Sequence, residues 1–178
     1  MIKVIAFDLV GVLVKEIDFP LNEIERLFGP NKSDSEFLRY VKENISNTSD
    51  SEIIDTINKI INSIYEIKFD LGNLKFLKEK HPDIKFIVAT NHLSCVRGYI
   101  LNTFGNVFEK IYISANMNMI KPDKEFYTSL LLDLNVSPHE MLFLDDSKIN
   151  IDGANECNIQ TIHVTKEMNV LKEIEKII

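Results

Sequence analysis

Two kinds of hydrophobic pattern divide the chain. Val4-Ile5-Ala6-Phe7 is an unbroken apolar run that stops at Asp8. A run of that length, bounded by polar residues, predicts a strand buried on both faces. Comparable strands are predicted at Lys85 to Ala89, Lys110 to Ser114, Met141 to Leu144 and Thr161 to Val164. Helical spacing separates them. Leu74 to Lys80, Ser94 to Phe104, and about 148 to 157 read as helices, and another runs from about residue 166 to the end. A further helix, capped by Asp123, turns Phe126, Tyr127, Leu130, Leu131 and Leu134 inward. Strands alternating with helices predict a parallel sheet with right-handed crossovers. The fold class is therefore α/β: a Rossmann-like parallel sheet of about five strands flanked by helices.

From about 15 to 72 strand signals vanish and amphipathic helices take over. Pro20 suits the first turn of a short helix with Ile24, Leu27 and Phe28 inward, ended by Gly29-Pro30. Ser33 with Glu36 forms a capping box ahead of Phe37, Val41 and Ile45. Ser49 with Glu52 forms a second, ahead of a stripe of Ile53, Ile54, Ile57, Ile60, Ile61, Ile64 and Tyr65. The expected organisation is a core of 1–14 and 73–178, with 15–72 inserted as a small helical cap.

Composition narrows the function. A net charge of −7 argues against a nucleic-acid partner and against a polybasic membrane surface. It still permits an anionic metabolite, because a local lysine and Mg2+ can outweigh the overall field. Cys95 and Cys157 fit neither a metal spacing nor a disulfide framework. With no signal-peptide pattern and no apolar run of membrane length, the protein is expected to be cytoplasmic. Nothing in the sequence sets an oligomeric state.

Four polar sites follow the apolar strands or sit in a loop after one: Asp8, Thr90-Asn91, Lys121 and Asp145-Asp146. Strand ends of a parallel sheet line up along one edge, where open α/β sheets bind ligands. Together these sites supply a carboxylate nucleophile, a hydroxyl and an amide for phosphate oxygens, a fixed cation, and two hard oxygen ligands. That set suits phosphoryl transfer, which depends on positioning and charge neutralisation. Adjacent acids such as Asp145 and Asp146 repel each other unless a cation or donor compensates.

The ordered set resembles the haloacid dehalogenase superfamily of hydrolases. Phe7-Asp8-Leu9-Val10-Gly11-Val12-Leu13 is similar to its first motif and Val88-Ala89-Thr90-Asn91 to its second. Ile120-Lys121-Pro122-Asp123 is similar to the third, and Leu142-Phe143-Leu144-Asp145-Asp146-Ser147 to the fourth. The last stretch is similar to the branch holding a glucose-1-phosphate phosphatase and the N-terminal phosphatase domains of epoxide hydrolases. The resemblance implies that Asp8 attacks phosphorus and forms an aspartyl-phosphate. It implies Mg2+ held by Asp8, the Val10 carbonyl and Asp146, with Asp145 assisting. Thr90 and the Asn91 amide would hold phosphate oxygens, and Lys121 would neutralise the phosphate. The partner implied is a small phosphorylated metabolite, a sugar phosphate being favoured.

Val10 departs from the pattern. Most phosphatases of the family carry an aspartate there, which protonates the leaving oxygen and later activates water. Valine keeps the backbone carbonyl but not that chemistry, whose loss costs typically ~10²–10⁴ in rate. Three readings follow: a weak or selective phosphatase, preferred here; a 2-haloacid-type dehalogenase; or a catalytically silent phosphate-binding or interaction protein. Elsewhere, His92 reads as a surface or helix-start residue, with a substrate contact as the alternative, and Arg97 as solvated. Asn158 is expected to take a left-handed turn. Nothing singles out any of Lys32, Lys42, Lys59 or Lys68.

Overall fold

The apolar runs form strands, and the strands form one parallel sheet. A computed structural model describes residues 1–17, 33–45 and 47–178; the helix expected around Ile24, Leu27 and Phe28 lies outside them. The described strands are β1 (Val4–Phe7), β2 (Val14–Glu16), β3 (Tyr65–Ile67), β4 (Lys85–Thr90), β5 (Lys110–Ile113), β6 (Met141–Asp145) and β7 (Gln160–His163). Five of them make a sheet of order β5-β4-β1-β6-β7, every neighbour parallel. β1 is central, which explains why all four of its residues are apolar and buried.

Alternate residues of each strand serve opposite layers. Ile5, Phe7, Phe86, Val88, Leu142 and Leu144 share a cluster with Leu74 and Leu77 of α3 (Leu71–Lys80) and Ile100 of α4 (Val96–Phe104). Val4, Ala6, Ile87, Ala89 and Phe143 pack instead with α6 (Lys124–Leu134) and α7 (Lys148–Glu156). Gly153 of α7 lies against Pro122: a Cβ there would stand 2.6 Å from the Pro122 carbonyl oxygen. Gly153→Ala is therefore expected to destabilise the protein by about 1–3 kcal/mol, read as a lower urea midpoint with an unchanged slope.

The inserted segment carries α1 (Asp34–Asn44) and α2 (Asp50–Ile64). The Ser33 and Ser49 hydroxyls accept from the Glu36 and Glu52 amides, each at 3.3 Å. Ile53, Ile57, Ile60, Ile61 and Ile64 are buried as the stripe requires. Tyr65 does not continue that helix. It begins β3, which pairs antiparallel with β2 in register Glu16↔Tyr65 and Val14↔Ile67. This ribbon, unexpected from sequence, is the stem on which the inserted helices leave and rejoin the sheet.

Two further elements differ from expectation. Ser114–Met117 is a one-turn helix, α5, rather than the end of β5, and Asn118 leaves it in a left-handed turn at φ 54°. The last helix, α8 (Val170–Glu175), starts later than expected because Asn169 caps it, its side chain accepting from the Lys172 amide at 3.1 Å. Asn158 has φ 59°, the left-handed turn that asparagine tolerates. Among the described residues no helix is long and apolar enough to cross a membrane.

Candidate functional site

The parallel register aligns the polar residues that end the strands. Phe7 pairs with both Val88 and Leu144, so the next positions, Asp8, Ala89 and Asp145, stand side by side. The Asp8 amide continues the ladder, donating to the Leu144 carbonyl at 2.9 Å. Lys121 enters from the loop before α6, and its ammonium lies 3.0 Å from Asp8 Oδ1 and 2.6 Å from Asp145 Oδ2. It also donates to the Ala89 carbonyl at 3.0 Å. Asp8, Thr90, Lys121 and Asp145 are all buried.

Asn91 holds this lysine in place. Its side-chain amide donates to the Lys121 carbonyl and accepts from the Lys121 amide, both at 2.9 Å. The Asn91 side chain is thus engaged with backbone, which leaves its own main-chain amide as the group free of that bridge. Asp145 is fixed from the other side: Oδ1 accepts from the Ser147 amide at 2.8 Å and from the Asn150 side chain at 3.1 Å. Asn150 is steadied in turn because its carbonyl accepts from the Tyr127 hydroxyl at 2.7 Å.

Burial sets the electrostatics. It pushes the Asp8 carboxyl up to about 6; Lys121 opposes the rise and the neighbouring Asp145 adds to it. Burial would pull the Lys121 ammonium down, but Asp8 and Asp145 outweigh it and hold its pKa above the ordinary lysine value. Asp146, exposed at the edge, is also raised, by partial burial and by Asp145. One carboxylate oxygen from each of Asp8, Asp145 and Asp146 lies within 4.8 Å of the others. Asp8 Oδ1 is buried without a hydrogen-bond partner, although Lys121 stands at ion-pair distance. Three converging carboxylates, one lysine between two of them and an unsatisfied oxygen make a donor set that fits a divalent cation preferring oxygen, such as Mg2+.

Gly11 belongs to the same construction. It has φ +85°, and a Cβ there would lie 2.2 Å from the Asp146 carboxylate. Only glycine lets the loop pass beneath that acid. Gly11→Ala is expected to displace Asp146 and weaken Mg2+ binding at least ~10-fold in a calorimetric titration, and to lower the melting temperature as well, because alanine is strained at this positive φ.

A cleft of about 900 Å³ opens beside Val10, Gly11 and Asp146, between the β2–β3 ribbon and the loop after β7. Two of its residues gave no signal in the sequence. Lys68, at the end of β3, donates to the Gly11 carbonyl from 57 positions away. His163 Nε2 lies 3.0 Å from the Asp146 carbonyl oxygen. His92, read from sequence as a surface or helix-start residue, is buried instead, with Nε2 2.9 Å from the Tyr65 hydroxyl. Burial lowers its pKa to about 4, so it is neutral near pH 7. Arg97 is exposed as expected and donates to the Ile111 carbonyl at 3.0 Å.

The chain is similar to several known proteins in sequence and in fold. Over 70 residues, 39% of this chain, the sequence is 36% identical to bifunctional epoxide hydrolase 2 of Mus musculus, and the match takes in 13% of that protein's length. It is 30% identical over 73 residues to the sesquiterpene phosphatase astK of Aspergillus oryzae, covering 41% of this chain and 37% of that one. In three dimensions it is similar to a haloacid dehalogenase (HAD) family enzyme of Bacteroides thetaiotaomicron solved with magnesium and inorganic phosphate. That likeness has a TM-score of 0.71 at 22% identity and covers 96% of this chain and 99% of that one. The haloacid dehalogenase-like hydrolase family matches residues 5–164, nearly the whole chain, and the protein belongs to it.

Proposed function

We propose that the protein is a Mg2+-dependent phosphatase of small phosphomonoesters, working through an aspartyl-phosphate on Asp8. The observation that carries this reading is the buried Asp8–Lys121–Asp145 chain with Asp146 at its edge. Asp8, Asp146 and the Val10 carbonyl would hold the metal, with Asp145 assisting. Bound there, Mg2+ would neutralise charge on the phosphoryl oxygens and screen them from Asp8. Asp8 is fixed at the strand end, and Lys121 keeps its carboxylate oriented toward an incoming phosphorus. Thr90 and the Asn91 main-chain amide would take phosphoryl oxygens. The inserted segment 15–72 would act as the cap over the substrate.

The cleft favours a polar leaving group. Its walls include Lys15, Glu16, Glu66, Lys68, Lys166 and Glu167. A terpenoid chain would have to desolvate these charges, whereas sugar hydroxyls can pair with donors and acceptors of both signs. A sugar phosphate is the favoured substrate. Three converging carboxylates suit a bound cation, which displacement of halide from carbon does not need, so they favour phosphate over a 2-haloacid.

Hydrolysis of p-nitrophenyl phosphate tests the reading. Turnover is expected with Mg2+ and lost with a chelator. Val10→Asp, restoring an acid at that position, should raise the rate by about 10–100-fold. Mg2+ binding without phosphate release would identify a silent phosphate-binding protein, and halide release from 2-chloropropionate without Mg2+ a dehalogenase.

A further inference from the structure

Val10 leaves a departing oxygen without a donor from the β1 loop, yet the wall of the cleft facing that loop carries a cation. Lys68 is tied to the loop twice. Its main-chain amide donates to the Leu13 carbonyl at 3.0 Å, and its ammonium donates to the Gly11 carbonyl. Gly11 adjoins Val10 and passes beneath Asp146, so the ammonium shares the cleft with Val10 and with Asp146, whose carboxylate converges with that of Asp8. The other cleft cations are placed differently. Lys15 is paired with Glu66 at 3.0 Å, and Lys166 stands on the opposite wall beyond β7. His163 is turned to the Asp146 carbonyl, and His92 is buried against Tyr65. Partial burial lowers the Lys68 pKa and Asp146 opposes that change. A partly desolvated cation acts more strongly on a nearby developing negative charge than a solvated one.

We propose that Lys68 is a catalytic residue whose ammonium donates a hydrogen bond to the departing ester oxygen, in place of the acid that Val10 lacks. The proposal rests on the phosphatase reading. In the step, an Asp8 carboxylate oxygen bonds to phosphorus as the ester P–O bond breaks. The electron pair stays on the leaving oxygen, whose negative charge is held by Lys68. That oxygen then takes a proton from the ammonium, a stronger acid than water, and the lysine amine regains a proton from solvent water, whose hydroxide passes to the buffer. The lysine stem is flexible, and in the proposal the ammonium exchanges the Gly11 carbonyl for the leaving oxygen.

The dependence of rate on leaving group tests this role. A departing alkoxide carries more negative charge than p-nitrophenolate and needs a donor more. With a series of aryl and alkyl phosphates, Lys68→Met should lower kcat about 100-fold on alkyl esters and less than about 10-fold on p-nitrophenyl phosphate. Because the two substrates are compared on one preparation, the ratio does not depend on the fraction of the variant that folds. Lys68→Arg should recover only part of the loss on alkyl esters, since the guanidinium keeps the positive charge but gives up a proton far less readily. In a Val10→Asp background, Lys68→Met should matter less, since an acid then protonates the leaving oxygen. An equal loss across the series overturns the proposal and makes Lys68 a brace for the loop. Wild-type inactivity on every ester overturns both this role and the phosphatase reading. Wild-type turnover with equal losses overturns only the role of Lys68.

Discussion

Asp8→Asn is expected to lower the proposed phosphatase turnover by more than about 10³-fold and, in Mg2+-free buffer at neutral pH, to raise the melting temperature. The two halves of this result have one cause. Asp8 is held as a carboxylate where burial disfavours its charge, and its pKa stands at about 6 against an ordinary 3.8. A carboxyl whose folded-state pKa is raised contributes stability below its unfolded value and loses it as pH climbs through the folded one. The advantage of the variant should therefore be absent near pH 3.8, grow through about 6, and then level off. An asparagine has nearly the same shape and carries no charge, and Lys121 retains Asp145 at 2.6 Å as its partner. The carboxylate proposed as nucleophile would thus be kept at a cost to the fold, a common trade at active sites. Differential scanning calorimetry over this range, beside a p-nitrophenyl phosphate assay, checks both halves. Undiminished turnover in the variant would remove Asp8 from the chemistry, and a lower melting temperature would mean the buried charge is better compensated than its surroundings imply.

What could be read from the sequence divides along the same line, between local and distant causes. The strand at Val4–Phe7 was legible because a central strand with both faces covered has no polar positions. The convergence of Asp8, Lys121 and Asp145 followed from parallel topology, which lines strand ends along one edge. The β2–β3 ribbon was not legible: its strands are three residues each, and Tyr65 lies in phase with the isoleucines before it. His92 looked exposed because nothing near it in sequence is bulky enough to cover it; Tyr65, 27 positions earlier, supplies the contact. Lys68 was invisible among the lysines of the inserted segment because its partner, Gly11, lies at the other end of that insertion. Asn91 showed its place but not its use, since its bridge closes on the Lys121 backbone 30 residues on. The groups around Asp8 are thus encoded by motif, while those on the cleft wall beside Gly11 depend on how residues 65–68 return toward the sheet.

Lys121→Met is expected to give the largest loss of stability, about 3–5 kcal/mol, which for a chain of this size is roughly 10 °C in melting temperature. Methionine matches the lysine stem in length and can still pack over the Phe143 ring, which the ammonium now approaches at 5.4 Å from the ring centre. What it cannot do is answer charge. Asp8 and Asp145 would face each other buried, and the Ala89 carbonyl would lose its donor. Asp145 keeps its bonds from Ser147 and Asn150, so the carboxyl left most exposed to the loss is Asp8. Adding Asp8→Asn should then restore a large part of the melting temperature without restoring activity. That pattern separates charge compensation from packing: a double variant no more stable than Lys121→Met would mean the lysine stabilises the site through its stem and its Ala89 contact. Mg2+ supplies a second check, since the cation expected among Asp8, Asp145 and Asp146 would supply part of the missing positive charge. Millimolar Mg2+ should raise the melting temperature of Lys121→Met by more degrees than that of the wild type, and by less once Asp8 is also replaced.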